Sequence, residues 1–254
     1  MKFVNSALSN SAAVRWQHRS SARAGFWLAV ALSVSGCNPF DASEKEAQAK
    51  AKPQSLKLAA EGKASCQNPL IDDVEGDGTG IPNIDGRGGF WYTFADTAGS
   101  TVIPKDPYEH ANGGATNSKH AAHIAGKLAN GQVAYAGIGF HLTKSQMPYD
   151  LSQASGLCFS AKGRGAARMT LSDVNTVPEG GVCKNCYNSF GKNFELSSDW
   201  QKYCFKFDQL AQSPSWGDQM KAFAVNAAFG ISWQAVERGA DYELWVDDIK
   251  LSCE

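Results

Sequence analysis

The sequence predicts an all-β domain, a two-sheet antiparallel β-sandwich of the jelly-roll type that is stapled by disulfides. Short stretches rich in β-branched and aromatic residues are separated at close intervals by Gly, Pro, Asn and Asp, a pattern typical of strands joined by turns. From residue 66 onward no helical stripe of a dozen residues interrupts them. Many short strands without crossover helices favour a sandwich or a barrel.

The predicted strands cover residues 70–75, 90–95, 133–142, 157–161, 168–171, 200–207, 223–233 and 242–251. Apolar and polar residues alternate most clearly around Cys158 and Cys204. Because successive side chains of a strand point to opposite faces, each of these cysteines lies opposite to the aromatic and aliphatic set. The two thiols are therefore placed to meet on one face of neighbouring strands.

The seven cysteines divide into one plus six. Cys37 follows an export-type segment, and the other six lie in residues 66–253, where an exported protein is expected to use an even set as disulfides. Cys66 and Cys253 bracket the domain, and the ends of a sandwich often meet in adjacent strands. The predicted bonds are Cys66–Cys253, Cys158–Cys204 and Cys183–Cys186.

The Cys-x-x-Cys motif at Cys183 and Cys186 has three interpretations. It follows Gly180-Gly181 in a stretch typical of a loop, and no helix follows that would lower a thiol pKa. Neither a second close cysteine pair nor a nearby histidine pair completes a zinc site. We favour a disulfide that staples the loop, and the alternatives are a redox centre and half of a metal site.

Residues 1–36 are predicted to be a lipoprotein signal peptide. They carry four cations and no acid, and an uncharged run over 25–34 leads to Val34-Ser35-Gly36-Cys37, the order of features in an export signal. A run of this length is too short to span a bilayer. The last four residues resemble the bacterial lipobox, which implies lipidation of Cys37; an ordinary signal peptide is the alternative. The basic region is long, so a start at Val14 instead of Met1 is a further hypothesis.

Residues 37–65 are predicted to be the lipidated cysteine and a flexible tether, because their composition offers too little apolar surface to offset the entropy of ordering. Residues 66–254 suffice for one domain. Loss of the four signal-peptide cations takes the formal net charge from −1 to −5, which argues against nucleic acid as a partner. We expect membrane contact through the lipid anchor alone. Asn38 favours the outer membrane, because an aspartate there would indicate inner-membrane retention in some bacteria.

Two acidic clusters, Asp72-Asp73-Val74-Glu75 and Asp247-Asp248, lie in the first and last predicted strands. If these strands are neighbours, the carboxylates converge, and clustered oxygen ligands suit Ca²⁺. Such an ion would be structural, and no catalytic cofactor is expected. The alternative is a charged edge that opposes edge-to-edge pairing.

No motif indicates a catalytic centre. The sequence has no Gly-x-Ser-x-Gly elbow and no Cys-His-Asn arrangement, and nothing singles out a carboxylate pair in a cleft. The tryptophans give a different signal, because Trp91 follows a Gly-rich turn and Trp216 lies in a Ser-Pro-Ser-Trp-Gly loop. Aromatic rings edged by polar side chains suit sugars, and a core role is the alternative. Trp200 and Trp245, in mid-strand, are expected to be core or inter-sheet residues.

A series of short motifs resembles the galactose-binding-like jelly rolls, and in particular the family 11 carbohydrate-binding modules and the complex I intermediate-associated domains. In chain order the motifs are LIDDVE (70–75), GGFWYTFAD (88–96), YDLS (149–152), GLCFSAKG (156–163), WQKY (200–203), FDQL (207–210) and LWVDDI (244–249). They extend over nearly all of residues 66–254. No catalytic domain accompanies them, and the extra cysteines have no counterpart in the intermediate-associated domains.

The resemblance implies a two-sheet sandwich, glycan binding on a concave sheet face and a structural calcium that joins Asp73 and Glu75 to Asp247. With the loop-placed aromatics, it leads us to predict a ligand face containing Arg87, Trp91, Asp96, His123 and Trp216. Because this fold hosts many functions, the ligand class is carried over by analogy.

The leading hypothesis is therefore a non-catalytic envelope lipoprotein that binds a glycan or polysaccharide. One alternative is a structural or adaptor lipoprotein that docks a protein partner, which a contiguous apolar patch would favour. The other is a small polysaccharide hydrolase.

Overall fold

The computed structural model describes residues 58–253. The predicted signal peptide, Cys37 and the tether as far as residue 57 lie outside these residues, and the hypotheses about them stay predictions. Helices in the described part are three short 3₁₀ turns, Pro178–Gly180, Phe207–Gln209 and Val225–Ala227. Within 58–253 there is no helix with the length and apolar character needed to cross a membrane.

The described residues form strands throughout. They are β1 (Gly62–Lys63), β2 (Leu70–Asp72), β3 (Trp91–Ala95), β4 (Ala111–Asn112), β5 (His120–Lys127), β6 (Ala136–His141), β7 (Tyr149–Asp150), β8 (Gly156–Arg164), β9 (Ala166–Asp173), β10 (Phe190–Glu195), β11 (Gln201–Lys206), β12 (Ala228–Ala235) and β13 (Asp241–Ser252).

Two sheets confirm the predicted antiparallel sandwich. The seven-stranded sheet runs β10-β9-β12-β6-β3, and β7 followed by β1 pairs at the start of β12. The six-stranded sheet runs β11-β8-β13-β5-β4, with β2 along the end of β13. Every strand pair is antiparallel except β1 with β7. Most neighbours in a sheet are distant in sequence, which is the connectivity expected of a jelly roll.

One hydrophobic core fills the space between the sheets. Its centre is Trp233 of β12, which is fully buried and meets Phe159 of the six-stranded sheet edge to face, with ring centroids 5.3 Å apart. Trp91 of β3 stacks on Trp233 at 6.0 Å. Aromatic contacts of this kind stabilise a pair beyond the apolar area that they bury.

The folded domain begins before Cys66, so the predicted end of the tether at residue 65 is wrong. Gly62–Lys63 pairs with β7, and the backbone amides of Glu61 and Ala64 donate to the carbonyls of Pro148 and Asp150. Ala64 is buried. These backbone bonds order a segment whose polar composition alone predicted disorder.

All three predicted disulfides are present. Cys66–Cys253 joins the chain next to β1 to the end of β13, Cys158–Cys204 joins directly paired positions of β8 and β11, and Cys183–Cys186 closes a loop. The Cys158–Cys204 bond confirms the alternation argument, because the two residues are register partners on the outer side of the sheet.

The strand predictions fail where side chains are small or the chain bends. Strand β5 was not predicted, because its core residues Ala121 and Ala122 lack the bulk that marks a strand. The stretch predicted from residue 223 becomes a strand only at Ala228, after a 3₁₀ turn. In β13 a bulge at Asp247 and Asp248 shifts the register against β8.

Candidate functional site

The outer face of the seven-stranded sheet combines aromatic, glycine and polar residues in register, and we call it the platform face. Alternate residues of its strands enter the core, so the others point outward. One row across β3, β6, β12, β9 and β10 is Phe94, Gly137, Gln234, Arg168 and Asn193. The next row is Tyr92, Gly139, Ser232, Thr170 and Gly191, and a third contains His141, Gly230 and Ser172.

Aromatic rings cover the β3 side of the platform face. Tyr92 and His141 stack with ring centroids 4.8 Å apart, and Phe94 lies 6.0 Å from Tyr92. Tyr135, which precedes β6 and is exposed, lies 6.4 Å from Phe94. The four rings form a continuous, partly exposed apolar surface.

Two glycines of β6 form the floor between the aromatic and the polar side. A Cβ atom on Gly137 would approach the Phe94 ring to 2.6 Å, and one on Gly139 would approach the Cβ of Ser232 to 2.6 Å. Glycine inside a strand often marks a place where another group approaches the backbone closely. At Gly137 the approaching group is the Phe94 ring, which lies against the backbone of β6.

Hydroxyl, amide and guanidinium groups cover the β9–β10 side. The hydroxyls of Thr170 and Ser232 hydrogen-bond to each other at 2.7 Å. Arg168 donates to the side-chain oxygen of Asn193 at 3.0 Å and to the carbonyl of Ala211. These contacts fix the orientation of donors and acceptors, which is what a site for a hydroxyl-rich ligand needs.

Burial sets the ionisation of the two central rings. Burial, followed by the charges of Asp106 and Tyr187, raises the pKa of Tyr92 to about 12, so the phenol is a neutral donor. Burial also lowers the pKa of His141 below its ordinary 6.5, against a smaller opposing influence of Glu179. At neutral pH both rings are uncharged.

Two cross-linked loops, residues 174–189 and 211–222, stand at the end of the platform face near His141. The Asp218 carboxylate accepts the Lys184 amide at 2.6 Å and the Asn185 side chain at 3.1 Å. The Asn188 side chain donates to the Trp216 carbonyl at 2.7 Å. These bonds present two exposed aromatic rings, Tyr187 and Trp216, whose side chains are 66% and 50% exposed.

Burial overturns two of the predicted ligand residues, Arg87 and Trp91. Each is 2% exposed, so neither reaches a surface ligand. Arg87 donates to the carbonyls of Asn68 and Leu70, at 3.2 and 3.1 Å. The Trp91 indole donates to Asp72 at 2.7 Å, while its ring packs in the core. Both residues hold β2 and β3 in place.

The other predicted ligand residues do not come together. Asp96 accepts the amides of Ala98, Ser100 and Tyr135, which orders a turn. His123 lies on the outer face of the opposite sheet, where it stacks on Trp245. Asp96 and Trp216 lie beside the platform face, Asp96 next to Tyr135 and Trp216 on one of the two loops.

The expectation that Trp200 and Trp245 fill the core is wrong as well. Both rings are half-buried on the outer face of the six-stranded sheet, on either side of the Lys162 ammonium. In β13 the buried positions are Tyr242, Leu244 and Val246. Trp245 alternates with them and therefore points to the solvent side of the sheet.

The carboxylates predicted to bind calcium do not form one set of ligands. Asp73 accepts the Glu75 amide, Glu75 accepts the amides of Lys119 and His120, and buried Asp247 accepts the Ala115 amide. Across residues 58–253 no three His, Cys, Asp or Glu side chains are grouped as a metal site. The backbone amide of His120 is also the main cause of the lowered pKa of Glu75. Calcium stays a prediction, and unchanged melting after chelation would reject a tightly bound ion.

Comparison with solved structures shows what the fold resembles. The family 11 carbohydrate-binding module of the cellulosomal cellulase Lic26A-Cel5E of Clostridium thermocellum has a TM-score of 0.54 at 14% identity, over 73% of this chain and 94% of that one. The Clostridium thermocellum module in complex with a β-1,3-1,4-mixed-linked tetrasaccharide has a TM-score of 0.52 at 14% identity, over 72% and 94%. At this identity the likeness confirms the predicted jelly-roll sandwich. No family model and no curated protein matches the sequence.

Proposed function

We propose that the domain binds a glycan chain across the platform face and performs no chemistry on it. The observation that carries the proposal is the register of the three rows, which places aromatic rings, glycines and polar side chains next to one another on one outer face of the sheet. A sugar ring has apolar C–H faces and a hydroxyl rim, so it needs these surfaces side by side.

The dimensions of the platform face suit an extended chain. Five strands at a spacing of about 4.8 Å make a surface roughly 19 Å wide between β3 and β10. Tyr92 and Phe94 would stack on sugar rings, while Gln234, Asn193 and Arg168 would exchange hydrogen bonds with their hydroxyls. The rings and the hydrogen-bonded polar groups are held in place before binding, which lowers the entropy cost of association.

Binding without catalysis is supported by the composition of the three rows. They contain no carboxylate, whereas most glycoside hydrolases place two across the scissile bond. Two solved structures with the same fold are described as carbohydrate-binding modules, one of them in complex with a β-1,3-1,4-mixed-linked tetrasaccharide. By analogy, a mixed-linked β-glucan is the first probe to use.

Calorimetric titration of the full chain with mixed-linked β-glucan oligosaccharides tests the proposal. Tyr92→Ala should weaken binding by about tenfold or more, because it removes the central stacking ring. Trp245→Ala is the matched control, since it removes a large half-buried ring from the opposite outer face and should leave affinity unchanged. Equal losses in both variants, or no binding to a broad glycan array, would reject the platform face as the glycan site.

We further propose that Cys37 carries the lipid that anchors this domain to the envelope, on the outer membrane. The support is the lipobox-like sequence after an export-type segment. Labelled fatty acid should enter the parent chain and not the Cys37→Ser variant. If the glycan array is negative while lipidation holds, the adaptor hypothesis takes precedence.

A further inference from the structure

The outer face of the six-stranded sheet carries a row of aromatic and basic side chains, which we call the tryptophan face. Lys162 of β8, Trp245 of β13 and His123 of β5 occupy adjacent register positions, and Trp200 precedes β11. The Lys162 ammonium lies 4.9 Å from the Trp200 ring centroid and 4.8 Å from that of Trp245, within cation–π range. This row fixes the Trp200 ring at the surface.

Trp200 also forms one wall of a pocket of about 290 Å³. Its other walls include Cys158, Ser160, Gln201, Lys202, Asp248 and Lys250. The Cys158–Cys204 disulfide joins β8 to β11 beside it, so the two strands that carry Ser160 and Lys202 are covalently held. The volume is close to the lower end of the range for small-molecule sites.

The charge of this pocket is positive. Lys250 lies 3.1 Å from Asp248, which is the carboxylate among the lining residues. Within the described part of the chain, Lys202 forms no ion pair. Lys162, next to Trp200, adds a further positive charge. The pocket therefore attracts anions although the chain as a whole is slightly negative.

We propose that this pocket binds an acidic sugar unit, a hexuronate within a polysaccharide. The Trp200 ring supplies a stacking surface, Lys202 faces the carboxylate, and Ser160 and Gln201 supply hydroxyl partners. The site is separated from the platform face by the hydrophobic core and would act independently of it.

Titration of the full chain with trigalacturonate, in the presence of a chelator, tests this site. Lys202→Gln should weaken binding by about fivefold and Trp200→Ala by about tenfold. Raising the salt from roughly 50 to roughly 500 mM should weaken it further, since an exposed charge pair is screened. Lys206→Gln is the matched control, because Lys206 lies on the same strand and outside the pocket.

Three results would overturn the proposal: no binding of trigalacturonate, equal loss in the Lys202 and Lys206 variants, or equal binding of a neutral cello-oligosaccharide that also needs Trp200. Tyr92→Ala should leave trigalacturonate binding intact. Failure of the platform face and failure of this pocket are therefore seen in different variants and with different sugars. Near-ultraviolet circular dichroism of each variant confirms that the fold is retained.

Discussion

The two outer faces of the sandwich use aromatic residues in opposite ways. On the platform face, Tyr92 and Phe94 lie beside glycines, and neighbouring polar groups are bonded to one another. On the tryptophan face, Trp200 and Trp245 hold the Lys162 ammonium between them, and the Trp245 indole donates to Glu243 at 3.0 Å. The first arrangement places half-buried rings beside glycines, whereas in the second the Trp245 ring packs against both His123 and Lys162.

Ring size alone therefore does not identify a ligand surface. Four of the five indole rings in residues 58–253 are either buried, as Trp91 and Trp233 are, or engaged by Lys162, as Trp200 and Trp245 are; Trp216 is exposed. The smaller rings of the platform face lie beside glycines and stay half-buried, with Phe94 packed over Gly137. Aromatic rings in register with polar groups are the property that supports the glycan proposal.

Substitutions in the core that both faces share should destabilise the domain most. Trp233→Ala should lower the free energy of unfolding by about 3–5 kcal/mol, because Trp233 is fully buried between the sheets. Trp245→Ala should lower the free energy of unfolding by about 1 kcal/mol, which is the contribution of an exposed cation–π pair. Urea unfolding of both variants measures the difference. Similar costs would contradict the assignment of Trp245 to the surface.

The Cys158–Cys204 and Cys183–Cys186 disulfides should differ in what their loss changes, mainly stability for the first and binding for the second. Cys158–Cys204 closes a span of 46 residues and Cys183–Cys186 a span of 3. By the chain-entropy relation, replacing both cysteines of Cys158–Cys204 should lower the free energy of unfolding by about 4 kcal/mol. The same replacement at Cys183–Cys186 should lower it by about 2 kcal/mol.

Binding should show the opposite order. Only the Cys183–Cys186 variant should weaken β-glucan binding, by about threefold, because that bond supports the loop that carries Tyr187. Unfolding curves and titrations of the two double variants test this. If the variant that lacks Cys158–Cys204 also loses β-glucan affinity, the claim that the two faces act independently is wrong.

The smallest effect concerns pH. Burial lowers the pKa values of both His141 and His123 below 6.5. Each therefore contributes stability that is complete above pH 6.5 and is lost as the pH falls toward the folded-state pKa. Melting temperatures of His141→Gln and His123→Gln should both depend less on pH than the parent in this range.

Binding should distinguish these two histidines. His141 stacks on Tyr92 near Phe90 and Glu179, and its protonation would place a charge in the platform face. We expect β-glucan affinity to be constant from pH 8 to 6.5 and to fall about twofold below it. His141→Gln should remove that fall and His123→Gln should retain it. If His123→Gln removes the fall and His141→Gln retains it, the β-glucan site lies on the tryptophan face instead.

The fold was predictable because alternation and turn residues are local signals, and the disulfides followed from them. The site was predicted less well because its residues depend on which alternate positions of each strand point outward and which point into the core. Trp91 was chosen in the motif Trp91-Tyr92, and a shift of one residue exchanges core for surface. The sequence held a usable signal in Gly137 and Gly139, two alternate glycines in one strand, which mark the outward phase of β6 and hence the outward partners Phe94 and Tyr92.

Other parts of the site depend on contacts that no local pattern shows. Tyr187 and Trp216 are brought together by Asp218 and Asn188, which are distant in sequence from their partners. The pairing of Trp200 with Trp245 likewise depends on the neighbours of β8, since Lys162 lies between the two. Long-range sheet order decides both arrangements.

The way the chain enters the domain determines how it responds to pulling. A force on residue 58 would act first on β1, a two-residue strand whose pairing partner is the equally short β7. Once β1 separates, the load passes to the Cys66–Cys253 bond, which connects directly to the longest strand of the six-stranded sheet. Residues 58–65 would then extend by up to roughly 27 Å while both outer faces stay folded. Strand β1 would therefore detach first, and the Cys66–Cys253 bond would stop further extension of the chain from this end.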